Sequence, residues 1–185
     1  MSHDHHAPFD LREDLDRRLA QYRELILGSL EGVSEDEARS SPVAGTPSLL
    51  GVVRHTAYVE GVWFDERITG RPRTEIGLPA ATAHSWKVRR TDSFASVAAE
   101  CRRVQEIADR NLAERPLEAA VGNGGRTLLA VYVHVLSELG WNTGQLDVLR
   151  AAILSARTER PGMKEGPGVE PGAFRSSVAQ IRATR

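Results

Sequence analysis

The sequence predicts an all-α protein built as a four-helix bundle, and three observations carry that expectation. Apolar residues recur at steps of three and four over four separate stretches, and no stretch alternates apolar with polar residues as a half-buried strand does. A chain of 185 residues has room for one core. Hydrophobic residues make up 41% of it and aromatic residues only 5%, so Leu, Val, Ile and Ala must fill that core. The bundle is expected over residues 9–155, between a flexible N-terminal segment (1–8) and a Pro/Gly-rich tail (156–185).

The first helix is expected from Phe9 to about Leu30, because Leu11, Leu15, Leu19, Tyr22, Ile26 and Leu30 form one stripe. Asp10 stands ahead of the stripe as its N-cap, and Gly32 follows as a stop. Residues 33–46 read as a polar connection in which Ser34-Glu35-Asp36-Glu37 can start one short helical turn. Thr46-Pro47 is a start signal for the second helix, since Thr satisfies free amides and Pro has none to satisfy. That helix is expected to run to about Thr69, closed by Gly70 and Pro72. Residues 70–90 form a long loop holding His84 and Trp86, and loops of that length often serve function. A third helix is expected from near Asp92 to before Pro116, a turn at Val121-Gly122-Asn123-Gly124-Gly125, and a fourth helix capped by Thr127 and running to about Ser155. Beyond Arg157 the Pro and Gly breaks predict a disordered or partner-docked tail, dispensable for folding.

Composition excludes several functions. Lys and Arg total 24 against 25 Asp and Glu, a net charge of -1, so no global positive field exists to hold a polyphosphate and nucleic acid is not an expected partner. The single cysteine, Cys101, cannot form an internal disulfide, and its mid-helix position reads as inert core. No apolar run approaches the roughly 18 residues that span a bilayer. Met1 to Pro8 is polar, without a signal peptide's apolar stretch, so the protein is expected in the cytoplasm and not at a membrane. His3, His5 and His6 in that segment can chelate metal adventitiously and are not read as a site.

Bundles place chemistry inside, on facing helices, so polar residues at core positions matter most. His55 shares a face with Val52, Val59 and Val62, pointing inward either as a ligand or as a core histidine satisfied by a carbonyl. On the fourth helix His134, Glu138, Asn142 and Gln145 form a polar ladder, either a wet face or a line at the core boundary among Val135, Leu139 and Leu146. A His facing a carboxylate-containing i, i+4 pair is the geometry of a first-row metal site.

The segments Ser48-Leu49-Leu50-Gly51-Val52-Val53-Arg54-His55 and His134-Val135-Leu136-Ser137-Glu138-Leu139-Gly140-Trp141-Asn142-Thr143-Gly144-Gln145 carry a family resemblance, as do Phe9-Asp10-Leu11-Arg12 and Gly61-Val62-Trp63-Phe64. Together they make the chain similar, over roughly residues 9–155, to the DinB/YfiT-like metal-dependent hydrolases and thiol transferases, which include the mycothiol-dependent maleylpyruvate isomerases of actinobacteria. The resemblance implies an up-down four-helix bundle whose divalent metal, zinc or nickel, is held by a helix-two His and by two helix-four ligands four residues apart. By position these are His55, Glu138 and Asn142, where the mycothiol-using branch has His, Glu and His.

Asn142 departs from that pattern, because an amide oxygen is a weaker ligand for zinc or nickel than an imidazole nitrogen. Three arrangements therefore stay open. A degenerate metal site forms from His55, Glu138 and Asn142; or His134 substitutes for the missing imidazole, although eight residues put it about 12 Å from Asn142; or no metal binds and the three make a hydrogen-bonded pocket. The corresponding functions are a metal- and thiol-dependent transferase or isomerase of small electrophiles, with mycothiol as cosubstrate, and a metal-free binding or regulatory protein. The expected partners are a small-molecule substrate or thiol, and a second copy of the chain in a homodimer.

Overall fold

The computed structural model describes residues 10–158. The expected N-terminal segment, residues 1–8, and nearly all of the expected tail lie outside the described residues. Four long helices form the body: α1 (Leu11–Gly28), α3 (Leu49–Glu60, continued by a π-helical turn at Gly61–Glu66 and by α4, Arg67–Thr69), α5 (Phe94–Leu112) and α6 (Leu128–Thr158). A short α2 (Glu35–Arg39) fills the first connection, and a two-stranded hairpin, β1 (Ala120–Val121) with β2 (Arg126–Thr127), precedes α6. The all-α bundle expected from periodicity is thus the architecture found.

Most of the signals read in the sequence act as expected. The Asp10 carboxylate accepts hydrogen bonds from the amides of Arg12 and Glu13 at the head of α1. Ser34 and Glu37 complete a capping box on α2, and Thr127 Oγ1 accepts from the amide of Ala130. At α3 the cap moves: Ser48 accepts from the amide of Gly51, while the Thr46 hydroxyl turns back to donate to the carbonyl of Val43. The stretch expected as uniform helix to Thr69 widens into the π turn at Gly61–Glu66, and Asn111 of α5 donates to the Phe64 carbonyl within it, at 2.9 Å. The turn at 121–125 is built as the hairpin, with Gly122 (φ 64°) and Gly125 (φ 67°) in the left-handed region. Its strands are two residues long, too short for any alternation to show.

Side-chain pairs fix the helix directions. Cys101 meets the Val53 carbonyl and Asn111 meets Phe64, so α3 and α5 run parallel. Tyr132 donates to Asp16 and Arg150 to the Glu31 carbonyl, so α1 and α6 also run parallel. Arg12 reaches the Leu112 and Arg115 carbonyls while Glu35 receives the Phe94 amide, so these two pairs oppose each other. The order is up, down, down, up.

Parallel α3 and α5 require the chain to travel back, and residues 70–92 do so as a strap lying antiparallel along α3. Arg73 pairs with Glu66, Leu78 packs where Gly61 has no side chain, and Thr82 bonds Tyr58 at 3.0 Å. Farther along, Ser85 meets His55 and the Lys87 carbonyl accepts from Arg54. At Gly51 the Trp86 backbone comes so close that an added Cβ would stand 2.5 Å from its carbonyl oxygen.

One buried ion pair ties three helices together. Arg23 of α1 donates to Glu60 of α3 at 2.6 and 3.0 Å and to Asp109 of α5 at 2.8 Å. Burial pushes the Glu60 carboxyl above its ordinary range although Arg23 pulls it down, so removing either partner leaves an uncompensated charge inside. Among the described residues no helix is long and apolar enough to cross a membrane.

Gly51→Ala tests the close approach of the strap. The clash with the Trp86 carbonyl should cost about 1–3 kcal/mol, more than the gain in helix propensity of about 1 kcal/mol. Denaturant unfolding should give a lower midpoint, with a shifted tryptophan emission as Trp86 moves. An unchanged midpoint and spectrum would show that the strap does not rest on this contact.

Candidate functional site

His55 lies at the centre of α3, a helix whose residues from Leu49 to Glu60 are all buried. Its imidazole stacks on the Trp86 indole, with ring centroids 3.4 Å apart and planes 14° from parallel. The strap also brings Ser85, whose Oγ is 2.6 Å from His55 Nδ1. That contact determines the tautomer. The Ser85 hydroxyl has one proton and lies 2.6 Å from the Thr82 carbonyl oxygen, which can only accept. The Ser85 oxygen must then accept from Nδ1–H, so the ring proton sits on Nδ1 and the Nε2 lone pair points elsewhere. Nε2 makes no hydrogen bond among the described residues. Burial lowers the His55 pKa to about 4, so the ring is neutral near pH 7 and Nε2 can act as an acceptor or a ligand.

The polar ladder of α6 divides on inspection. Asn142 is buried, only 1% exposed, while His134, Glu138 and Gln145 are half-buried. Asn142 Nδ2 donates to the Glu138 carbonyl at 2.8 Å, which leaves Oδ1 out of water without a partner. An orphaned buried acceptor costs about 1–3 kcal/mol unless something donates to it or coordinates it. The Glu138 carboxylate forms no hydrogen bond or ion pair among the described residues.

The level of these groups along the bundle follows from one contact. Trp63, in the π turn, packs on His134 with ring centroids 4.3 Å apart. Because α3 and α6 are antiparallel, stepping eight residues back from Trp63 to His55 and eight forward from His134 to Asn142 moves the same way by about 12 Å. His55 and Asn142 thus share a level, with Glu138 one turn away, and no direct hydrogen bond joins His55 to either. His134 is occupied by Trp63 at the far end of this line.

Among the described residues no contact joins His55 Nε2, the Glu138 carboxylate and Asn142 Oδ1. As ligands, one imidazole, one carboxylate and one neutral amide are a weaker set for zinc or nickel than two imidazoles and a carboxylate. Among the described residues no group of three or more His, Cys, Asp and Glu side chains gathers as a metal site. Cys101 supplies no thiolate, since burial pushes its thiol up to about 12.

Two partners of His55 were not legible as such. Trp86 stood out only as an aromatic in a long loop, and nothing marked Ser85. Gly51 was the available signal, a mid-helix glycine that a close backbone approach requires. His84, in the same loop, is exposed.

A family model described as Mycothiol-S-transferase matches residues 14–154. No curated protein and no solved structure matches the chain.

The buried His55 predicts acid sensitivity. Its folded pKa of about 4 lies below the unfolded value near 6.5, so the unfolded chain takes up the proton first. The stabilisation is complete above about pH 6.5 and is lost progressively toward pH 4, a loss of at most about 3 kcal/mol. Urea unfolding of metal-free protein at pH 7 and pH 5 should show the drop, and His55→Gln, which does not titrate, should lack this part of it. The same pH slope in both proteins would place the acid sensitivity elsewhere.

Proposed function

Since the chain belongs to the mycothiol S-transferase family, we propose that it transfers or isomerises small electrophiles with mycothiol as cosubstrate, using a degenerate metal site made of His55, Glu138 and Asn142. The observation that carries this reading is the pair of uncommitted acceptors at one level of α3 and α6: His55 Nε2, freed by the Ser85 contact, and the buried Asn142 Oδ1. A divalent metal held there supplies a lowered thiol pKa, so that sulfur is available as thiolate at neutral pH. In the transfer, sulfur forms a bond to the electrophilic carbon and the leaving group departs with the bonding electrons.

The chain's own residues have separate tasks. Ser85 orients the imidazole by accepting from Nδ1–H, as carbonyls and carboxylates commonly do behind a ligating histidine. Trp86 covers the ring and excludes water from one of its faces. Glu138 serves as a ligand rather than a free base, and its charge offsets that of the ion. His134, against Trp63, is the substitute ligand only if the site slides one turn along α6 and keeps Glu138.

A second reading has its own support. Asn142 uses Nδ2 on the Glu138 carbonyl, a purely structural bond. In that case the same groups form a metal-free polar pocket of a binding or regulatory protein. Incubating the full chain with mycothiol and 1-chloro-2,4-dinitrobenzene, with and without zinc or nickel, separates the two. Thioether formation that metal stimulates and His55→Ala abolishes supports the enzyme; conjugation no faster than without protein supports the pocket.

Asn142→His gives the sharper test of the ligand set. It adds an imidazole one turn from Glu138 and completes the His, Glu, His combination. Zinc or nickel affinity should rise by at least about tenfold, or about 1.4 kcal/mol, since even groups behind the ligands alter affinity by about 10- to 100-fold. Calorimetric titration of both proteins measures it, and equal affinities would mean that position 142 does not serve the ion.

A further inference from the structure

Two arginines converge on one tryptophan, Trp63, in the π turn that follows α3. Arg67 of α4 places its guanidinium carbon 5.7 Å from the Trp63 ring centroid, and Arg126 of β2 places its own 5.3 Å away. Different parts of the fold deliver them. Arg67 follows Trp63 by four residues through the π turn. Arg126 arrives because the hairpin turn, with Gly122 and Gly125 in the left-handed region, packs against α4, where an added Cβ on Gly122 would stand 3.5 Å from the Arg67 carbonyl. His134 also packs on this ring, with centroids 4.3 Å apart and planes tilted by 56°.

The arrangement lacks a counter-charge. Arg12, Arg17, Arg18, Arg23, Arg71 and Arg73 all reach carboxylates, and Glu66, the acid nearest in sequence, is committed to Arg73. Arg67 and Arg126 form no ion pair and no side-chain hydrogen bond among the described residues. Both are exposed, and an exposed cation over an indole gains only about 0.5–1 kcal/mol. Bringing two like charges to one ring thus creates a local positive field without neutralising it. Two planar forks beside a flat apolar surface match a planar anion on a small organic body, because guanidinium groups pair with carboxylates in bidentate fashion.

We propose that Arg67, Arg126 and Trp63 form a carboxylate-binding subsite on the surface beside the Trp63–His134 contact, selecting small molecules that carry a carboxylate. It lies about two helical turns from the level of His55 and Asn142, or about 12 Å. An elongated ligand can therefore hold its anionic end here while its reactive end reaches that level. The subsite rests on the transferase reading only for the identity of the molecule, the electrophile, to which the carboxylate belongs.

The test uses the full chain, 15N-labelled, with succinate as the probe and neutral succinamide as its control, at constant low ionic strength. Trp63→Phe assigns the Trp63 indole signal. Succinate should shift that signal saturably and succinamide should not. Arg67→Gln combined with Arg126→Gln should weaken succinate binding at least about tenfold, the loss of roughly one charge-assisted hydrogen bond. The same double variant should leave zinc or nickel titration unchanged, so that failure here is distinct from failure of the metal site. No saturable shift, an equal response to succinamide, or unweakened binding in the double variant would overturn the subsite and leave the two arginines as a brace between hairpin and π turn.

Discussion

The complete burial of α3 is the constraint on which the rest of the molecule depends. A helix with one apolar stripe needs cover on one side; a helix buried from Leu49 to Glu60 needs it all round. Helices α1, α5 and α6 supply part of that cover, and the strap at residues 70–92 supplies the remainder. The strap in turn lets α5 run parallel to α3. Burial also obliges each polar side chain of α3 to find a partner. Arg54 finds the Lys87 carbonyl, Thr56 the Val53 carbonyl, Tyr58 finds Thr82, and Glu60 finds Arg23.

His55 is the exception within that set, and the exception has a physical form. Ser85 satisfies one ring nitrogen and, by spending its proton on Thr82, leaves the other as a bare acceptor. On α6, Asn142 repeats the pattern, with its amide nitrogen satisfied by the Glu138 carbonyl and its oxygen not. His55 Nε2 and Asn142 Oδ1 are thus two acceptors left open at one level. Unpaired acceptors are matched by cations or by donors, which is why the same geometry serves a metal with a bound thiol or a hydrogen-bonding ligand.

The opposite imbalance stands about two turns away along α3, where Arg67 and Arg126 offer donors and positive charge around Trp63. Open acceptors thus lie near His55 and open donors near Trp63. The π turn matters to both ends. It widens the helix at the Trp63 end, is held by Asn111, and sets Trp63 against His134.

Local chemistry made much of this legible from sequence. Asp10, Ser34 and Thr127 cap helices because a short side chain and a free amide need nothing distant. The four apolar stripes assigned the bundle, and helical spacing put His55 on an inward face, because periodicity reports which side of a helix avoids water. The α6 ladder stayed open between a wet face and the core boundary, and packing buried Asn142. Glu138 proved half-buried rather than enclosed, since a residue at the edge of a stripe has its exposure set by its neighbours. The parallel course of α3 and α5, the strap's register, the His55 tautomer and the meeting of Arg67 with Arg126 had no local signature. Each joins residues far apart in the chain, such as His55 with Ser85 or Trp63 with Arg126, and depends on how loops carry backbone across space. The sequence by itself determined the helices, their buried faces and the family; only the tertiary structure decided which polar groups would be satisfied and which left open, because that depends on partners that packing alone brings within hydrogen-bond distance.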